Sequence, residues 1–160
     1  MNSSNDMLPG GAENLRETHG AWIVACAMQT HQGTRTRRCA LLQEHTHPQT
    51  RQRLVALELS PVDGRMKGTL ILPFGLALQK GAILRVDDGE PLNLAFRTCL
   101  PTGCWVDLDL EESTIGALKE GTTLKVQVVT DDSGQDATFS LPLNGFASAC
   151  ERLEVLVLSP

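Results

Sequence analysis

From Gly20 onward, apolar and polar residues alternate in steps of two, in short runs separated by turn formers. In Gly20-Ala-Trp-Ile-Val-Ala-Cys26, the residues Trp22, Val24 and Cys26 share one face, the period of a half-buried strand. A polar loop, Gln29 to Thr36, leads into Arg38-Cys-Ala-Leu-Leu-Gln43, and the two runs read as a hairpin. Glu44 to Gln52 is a polar connection. Arg53 to Leu59 resumes as a strand, ended by Ser60-Pro61 and the Asp63-Gly64 turn. Gly68 to Pro73 is a strand that runs into Phe74 to Gly81, a Pro- and Gly-punctuated loop packed under the sheet. Ala82 to Val86 is a short strand before the turn Asp87 to Pro91.

Leu92 to Arg97 leads to the stretch around which the chain is organised, Phe96 to Leu110. Here Cys99 and Cys104 lie either side of a Leu-Pro-Thr-Gly turn, followed by an alternation of apolar and acidic residues. A helix follows: Glu111 and Glu112 sit in its opening turn, Ile115 and Leu118 face inward, and Gly121 stops it. Thr122 to Thr130 and Ala137 to Leu141 are strands joined through Asp131-Asp-Ser-Gly134. Asn144 caps a short segment, Gly145 to Arg152, and Leu153 to Leu158 reads as a final strand. Nine or ten short strands at this spacing predict a mainly β protein, an antiparallel sandwich with one or two short helices. The expected division is a flexible leader over residues 1–19 and one β-sandwich domain over 20–160.

Composition narrows the field. The chain has 160 residues, 41% hydrophobic and 21% charged, an ordinary globular balance for one domain. No apolar run approaches the length of a membrane span. Net charge is −5, which argues against a nucleic-acid partner, whose phosphates must be neutralised. One basic exception, Arg35, Arg37, Arg38, Arg51 and Arg53, reads either as a solvated hairpin face or as a patch for an anionic partner. Aromatics are 4% with no Tyr, which leaves little for carbohydrate or base stacking.

Five cysteines fall as two close pairs and one over: Cys26 with Cys39, Cys99 with Cys104, and Cys150. That arrangement suggests two disulfides and an odd thiol, and so a compartment outside the reducing cytosol. On the chain-entropy estimate the longer loop is worth about 3 kcal/mol and the shorter about 2. The spacings are not those of a zinc site. Cys99 and Cys104 also lack the C-x-x-C spacing of a redox-active pair. Met1 to Ala12 has no apolar core of a signal peptide, so the chain reads as a mature form or one whose leader has been replaced.

With these residues laid out, the chain resembles the invasion-associated locus B family of bacterial envelope proteins, over about Trp22 to Leu153. The marks are Trp22 four residues before Cys26, then Cys39; Leu72-Pro-Phe-Gly-Leu76 with Gly81 and Val86-Asp87; Phe96-x-x-Cys99 with Gly103-Cys104; Ala117-Leu118 with Gly121; and Leu143-x-Gly145-Phe146. The resemblance implies a secreted or periplasmic β-rich protein, peripheral to the outer membrane, linked in some pathogens to host-cell invasion. It carries over no catalytic residues. Cys150 departs from the family pattern.

The remaining chemistry is sparse. His45 and His47 stand two apart, with Glu44 and His31 as conceivable neighbours, and read as a solvent-exposed loop before a metal site. No nucleophile elbow, calcium loop or phosphate loop occurs, and all four His lie between His19 and His47. The expectation is a non-enzymatic module without cofactor or metal, monomeric or weakly self-associating, that binds a protein or an envelope polymer through loops. Leu100, Pro101, Thr102 and Trp105 form one such loop, with Phe74 and Leu76 on the other. The alternative is a structural stabiliser or assembly subunit of the envelope; a hydrolase or metal-binding protein ranks below both.

Overall fold

The computed structural model describes residues 14–158. Burial alternates along five successive strands, β1 (Asn14–His19), β2 (Trp22–His31), β3 (Thr34–Thr46), β4 (Arg53–Val62) and β5 (Arg65–Leu72). Each pairs antiparallel with the next. After a 3₁₀ turn at Leu78–Lys80 come β6 (Ala82–Val86), β7 (Leu92–Leu94), β8 (Thr98–Leu100) and β9 (Gly103–Leu110). β9 pairs with β5 and β8 with β9, which completes a seven-stranded sheet in the order β1-β2-β3-β4-β5-β9-β8. Helix α1 (Glu112–Glu120) then carries the chain to β10 (Thr123–Val129) and β11 (Asp136–Pro142), which form a second sheet in the order β11-β10-β6-β7. Helix α2 (Phe146–Leu158) ends the described chain.

The two sheets and two helices share one apolar core. Trp22, Leu41, Leu59, Leu70 and Val106 come from the large sheet, Val126 and Leu141 from the small one, and Phe146 and Leu153 from α2. Trp22 and Phe146 meet edge to face, ring centroids 5.0 Å apart. A single carbonyl, that of Pro142, accepts from Trp22 Nε1 at 3.2 Å and from Gln43 Nε2 at 3.0 Å. Gln43 is the one buried polar residue of the described core, and its Oε1 lies 2.6 Å from His45 Nε2. Both ends of its amide are thus satisfied, as burial requires. The small sheet is pinned to the large one by hydrogen bonds as well as by packing.

Three expectations change. Asn14–His19 is not leader: it forms an edge strand on β2 with a single apolar residue, Leu15, too few to show a hydrophobic period. Residues 1–13, the rest of that segment, lie outside the described residues. The polar stretch Gln29–Thr36 is not a loop; both strands continue to a two-residue turn at Gln32-Gly33, with φ of 52° and 82°, a turn that matches strand twist. Its polarity reflects a ribbon exposed beyond the core. Leu153–Leu158 is not a strand but the second half of α2. Phe146, Ala149, Cys150, Leu153 and Leu156 are buried at helical spacing, whereas Val155 and Val157 are 55% and 46% exposed.

The helix read over Glu111 to Gly121 is α1, with Ile115 and Leu118 buried. Gly121 ends it in an extended conformation, φ −81°, so left-handed freedom is not what it supplies. A Cβ there would come within 2.3 Å of Val86 Cγ1 and 3.1 Å of Leu143 Cδ1. Space is the reason for this glycine.

Candidate interaction surface

Antiparallel order brings the end of β3, the start of β4, the end of β5 and the β8–β9 turn to the same end of the large sheet. A depression of about 320 Å³ lies there, lined by Glu44, Arg51, Arg53, Phe74, Pro101 and Thr102 among others. The two loops read separately in the sequence therefore meet. Phe74 is 57% and Leu100 41% exposed, and Pro101 and Thr102 are also at the surface.

The turn is held by covalent and polar bonds. Cys99 and Cys104 are direct cross-strand partners joined by a disulfide. Thr102 is fixed twice: its carbonyl accepts from Arg53 Nη2 at 3.1 Å, and its Oγ1 accepts from Trp105 Nε1 at 3.0 Å. Trp105 lies under the Arg97 guanidinium, 5.6 Å from the ring centroid, and Arg97 is in turn held by Asp107 at 3.0 Å. Gly103 has φ +141°, and a Cβ there would sit 2.6 Å from the Leu72 carbonyl oxygen. Only glycine lets the turn lie this close to β5. Trp105 is thus a half-buried prop for the turn rather than a tip residue.

Leu76 departs from expectation. It is 9% exposed and joined to Thr130 by an isolated bridge, so it anchors its loop to the small sheet. Of that pair, Phe74 alone faces solvent. Arg53 is shared between Thr102 and Glu44, 3.5 Å from the carboxylate. Arg51 sits at φ 62° in a turn closed by hydrogen bonds between His47 and both Arg51 and Gln52. No single basic patch forms. Arg35, Arg37 and Arg38 belong to the opposite end of β3, roughly 30 Å away at the rise of a strand, and Arg37 donates to the Leu156 carbonyl at the end of α2, 2.7 Å.

His45 and His47 are committed elsewhere. His45 faces Gln43, and His47 Nδ1 accepts from the backbone of Gln49 and Thr50 at 3.2 and 3.3 Å. His31 lies at the far turn, where its backbone pairs with Thr34. Among the described residues, no three His, Cys, Asp or Glu gather to hold a metal ion. Cys26–Cys39 is the second disulfide, joining direct partners of β2 and β3. Cys150 is free and buried on α2, and burial pushes its thiol up to about 11. One feature sequence reading missed is the clamp of β1 on α2. Glu17 holds Arg152 through two bonds of 2.9 and 3.0 Å, which lowers its carboxyl below the usual range. Nothing local marks a pair 135 residues apart.

Fold and site together define a disulfide-stapled β-sandwich that presents a pinned pair of loops from a rigid frame. The chain belongs to the invasion associated locus B family, whose model matches residues 22–154. It is 40% identical over 150 residues to an invasion protein B homologue of Brucella abortus (strain 2308), covering 93% of this chain and 84% of that one. Invasion protein B of Bartonella bacilliformis is 33% identical over 152 residues, covering 93% and 80%. The crystal structure of invasion associated protein B from Bartonella henselae superposes with a TM-score of 0.79 at 29% identity, covering 89% of this chain and 96% of that chain. Among the described residues no helix is long and apolar enough to cross a membrane.

Proposed function

We propose that this chain is a periplasmic or secreted protein of the bacterial envelope and works as a non-enzymatic binding module. Its partner, a protein or envelope polymer, is taken at the loop end of the large sheet. One observation carries the reading: Phe74 and Leu100, both exposed, flank a turn locked by Cys99–Cys104, with Arg51 and Arg53 beside it. Large exposed apolar residues on a rigid, well-ordered loop are where binding energy concentrates. Pre-organisation reduces the ordering cost of association. The guanidinium groups favour an acidic partial charge on the partner. Two disulfides support residence outside the reducing cytoplasm, and the names of the relatives associate the family with invasion.

The test is capture from envelope extract by the immobilised wild type and by Phe74→Ser/Leu100→Ser, two surface changes that leave the core untouched. Partners bound by the wild type and lost from the variant would support the site. Identical capture by both would remove it.

A further inference from the structure

The outer face of the large sheet departs at its centre from the pattern that β9 follows. On β9 the residues turned away from the core are Asp107 and Asp109, the polar-out alternation of a sheet with one wet face. Across β2, β3, β4 and β5 the same face instead carries Ile23, Ala25, Ala40, Leu42, Ala56 and Ile71, all only part-buried. The two helices and the small sheet pack against the other face, through the core side chains. Among the described residues, no element covers this apolar centre. A contiguous apolar patch rimmed by charge marks an interaction surface.

Strand register shows what fits it. Ile23 and Leu42 are direct partners, and Ala25 and Ala40 are partners on the next rung of the same face. A large pair therefore lies beside a small pair. A half-turn about an axis crossing the strands between these rungs sets the large pair of one copy over the small pair of another. On β3 the same half-turn sets Arg38 over Glu44, since each stands three residues from Leu41. Both are exposed. Arg38 enters no ion pair of the described residues, and Glu44 has only Arg53, at 3.5 Å. Glu58 of β4 and Lys67 of β5 lie on opposite sides of that axis, partnered by Thr69 and Ser60. Rotation brings Lys67 to the rung of Glu58, one strand across. Asp107 and Asp109 also meet, but each already holds an arginine, Arg97 and Arg65. Size and charge are thus self-complementary about a single axis, as an isologous two-fold interface requires.

We infer that the outer face of the large sheet is a self-association surface, on which a second copy of this chain packs sheet to sheet with Arg38 of each copy facing Glu44 of the other. This surface is separate from the loop end, and the inference does not rest on the function proposed for that end. Sedimentation velocity on the full chain, from micromolar to millimolar concentration, tests it. A reversible dimer is expected. Arg38→Glu and Glu44→Arg, both at exposed positions away from the core, should each weaken it about tenfold or more, because the two-fold repeats every like-charge contact. Mixed in equal amounts, the two variants should associate with each other about as well as the wild type does with itself, because each contact again joins opposite charges. Phe74→Ser/Leu100→Ser should dimerise unchanged. Methyl NMR should show shifts on dilution at Ile23 and Leu42 and none at the buried Leu84. A wild type that stays monomeric throughout would overturn the inference, as would single variants that dimerise like the wild type, a mixture that stays monomeric, or a dimer lost with Phe74 and Leu100. Shifts at Ile23 and Leu42 that require another envelope protein rather than a second copy would overturn it too.

Discussion

Cys150 illustrates what a single buried residue does to the pH response. Its thiol is raised from an ordinary 9.0 to about 11 by desolvation, the largest cause, against a smaller opposite pull from Lys119. The folded state therefore holds the proton to higher pH than the unfolded chain does. Nothing is gained below pH 9, where both states are protonated, and stability falls as pH rises from about 9 towards 11. Over the two units the loss amounts to roughly 2–3 kcal/mol. Cys150→Ala should flatten that alkaline slope in urea melts at pH 8 and pH 10.5. The native wild type should react slowly with a thiol reagent at pH 8 and expose one thiol on unfolding without reductant. Both follow from one side chain whose number and position were plain in the sequence. Its burial is also legible there, from Phe146 and Leu153 on either side of it; its place on a long helix is not, because the residues after it look like a strand.

Helices and strands differed in how readily they could be recognised. Strands with one face in the core, such as β9 with Val106, Leu108 and Leu110 inward and Asp107 and Asp109 outward, carry their period openly. Edge strand β1 buries almost nothing, so its pairing depends on β2 and on the Glu17–Arg152 clamp, which no local window contains. The second half of α2 reads as a strand because Val155 and Val157 favour strands by side-chain shape, while burial at Phe146, Ala149, Cys150 and Leu153 favours a helix, and packing decides. The disulfides are the elements' most legible feature, since cross-strand cysteines at direct register need only the hairpin to form. Their effects should differ. Replacing Cys26 and Cys39 by alanine should cost about 3 kcal/mol, against about 2 kcal/mol for Cys99 and Cys104. Hydrogen exchange at the turn should separate them further: loss of Cys99–Cys104 is expected to speed exchange at the Leu100–Gly103 hairpin while the β2–β3 ladder stays protected. Equal exchange in both variants would mean that Arg53, Trp105 and Gly103 fix the turn unaided.

At the scale of the whole molecule, the start and finish of the described chain are interlocked, and glycine makes this possible. The β1–β2 turn sits on the Asn144-Gly145 corner before α2, with Ala21 N donating to the Asn144 carbonyl at 2.9 Å. A Cβ on Gly145 would lie 1.9 Å from the His19 carbonyl oxygen, and φ there is +89°. One on Gly20, φ +59°, would lie 2.5 Å from the Asn144 carbonyl oxygen. Backbone meets backbone at both contacts, so neither neighbour can rotate away as a side chain would. This corner orients α2, whose Phe146 closes on Trp22 one residue later. Sequence alone places Gly145 at the start of a short segment capped by Asn144; the contact that demands it comes from a strand over a hundred residues earlier. Gly145→Ala combines backbone strain of about 1–3 kcal/mol with a steric conflict that only withdrawal of β1 or α2 relieves. The expected loss is about 3 kcal/mol or more, with α2 and β1 losing exchange protection together. Gly134→Ala, also at positive φ (+68°) but with nothing within 4 Å of the added carbon, should show the strain alone, about 1 kcal/mol. If the two variants proved equally stable, the corner would not govern how the sandwich closes, and the Trp22–Phe146 packing would have to set the position of α2 by itself.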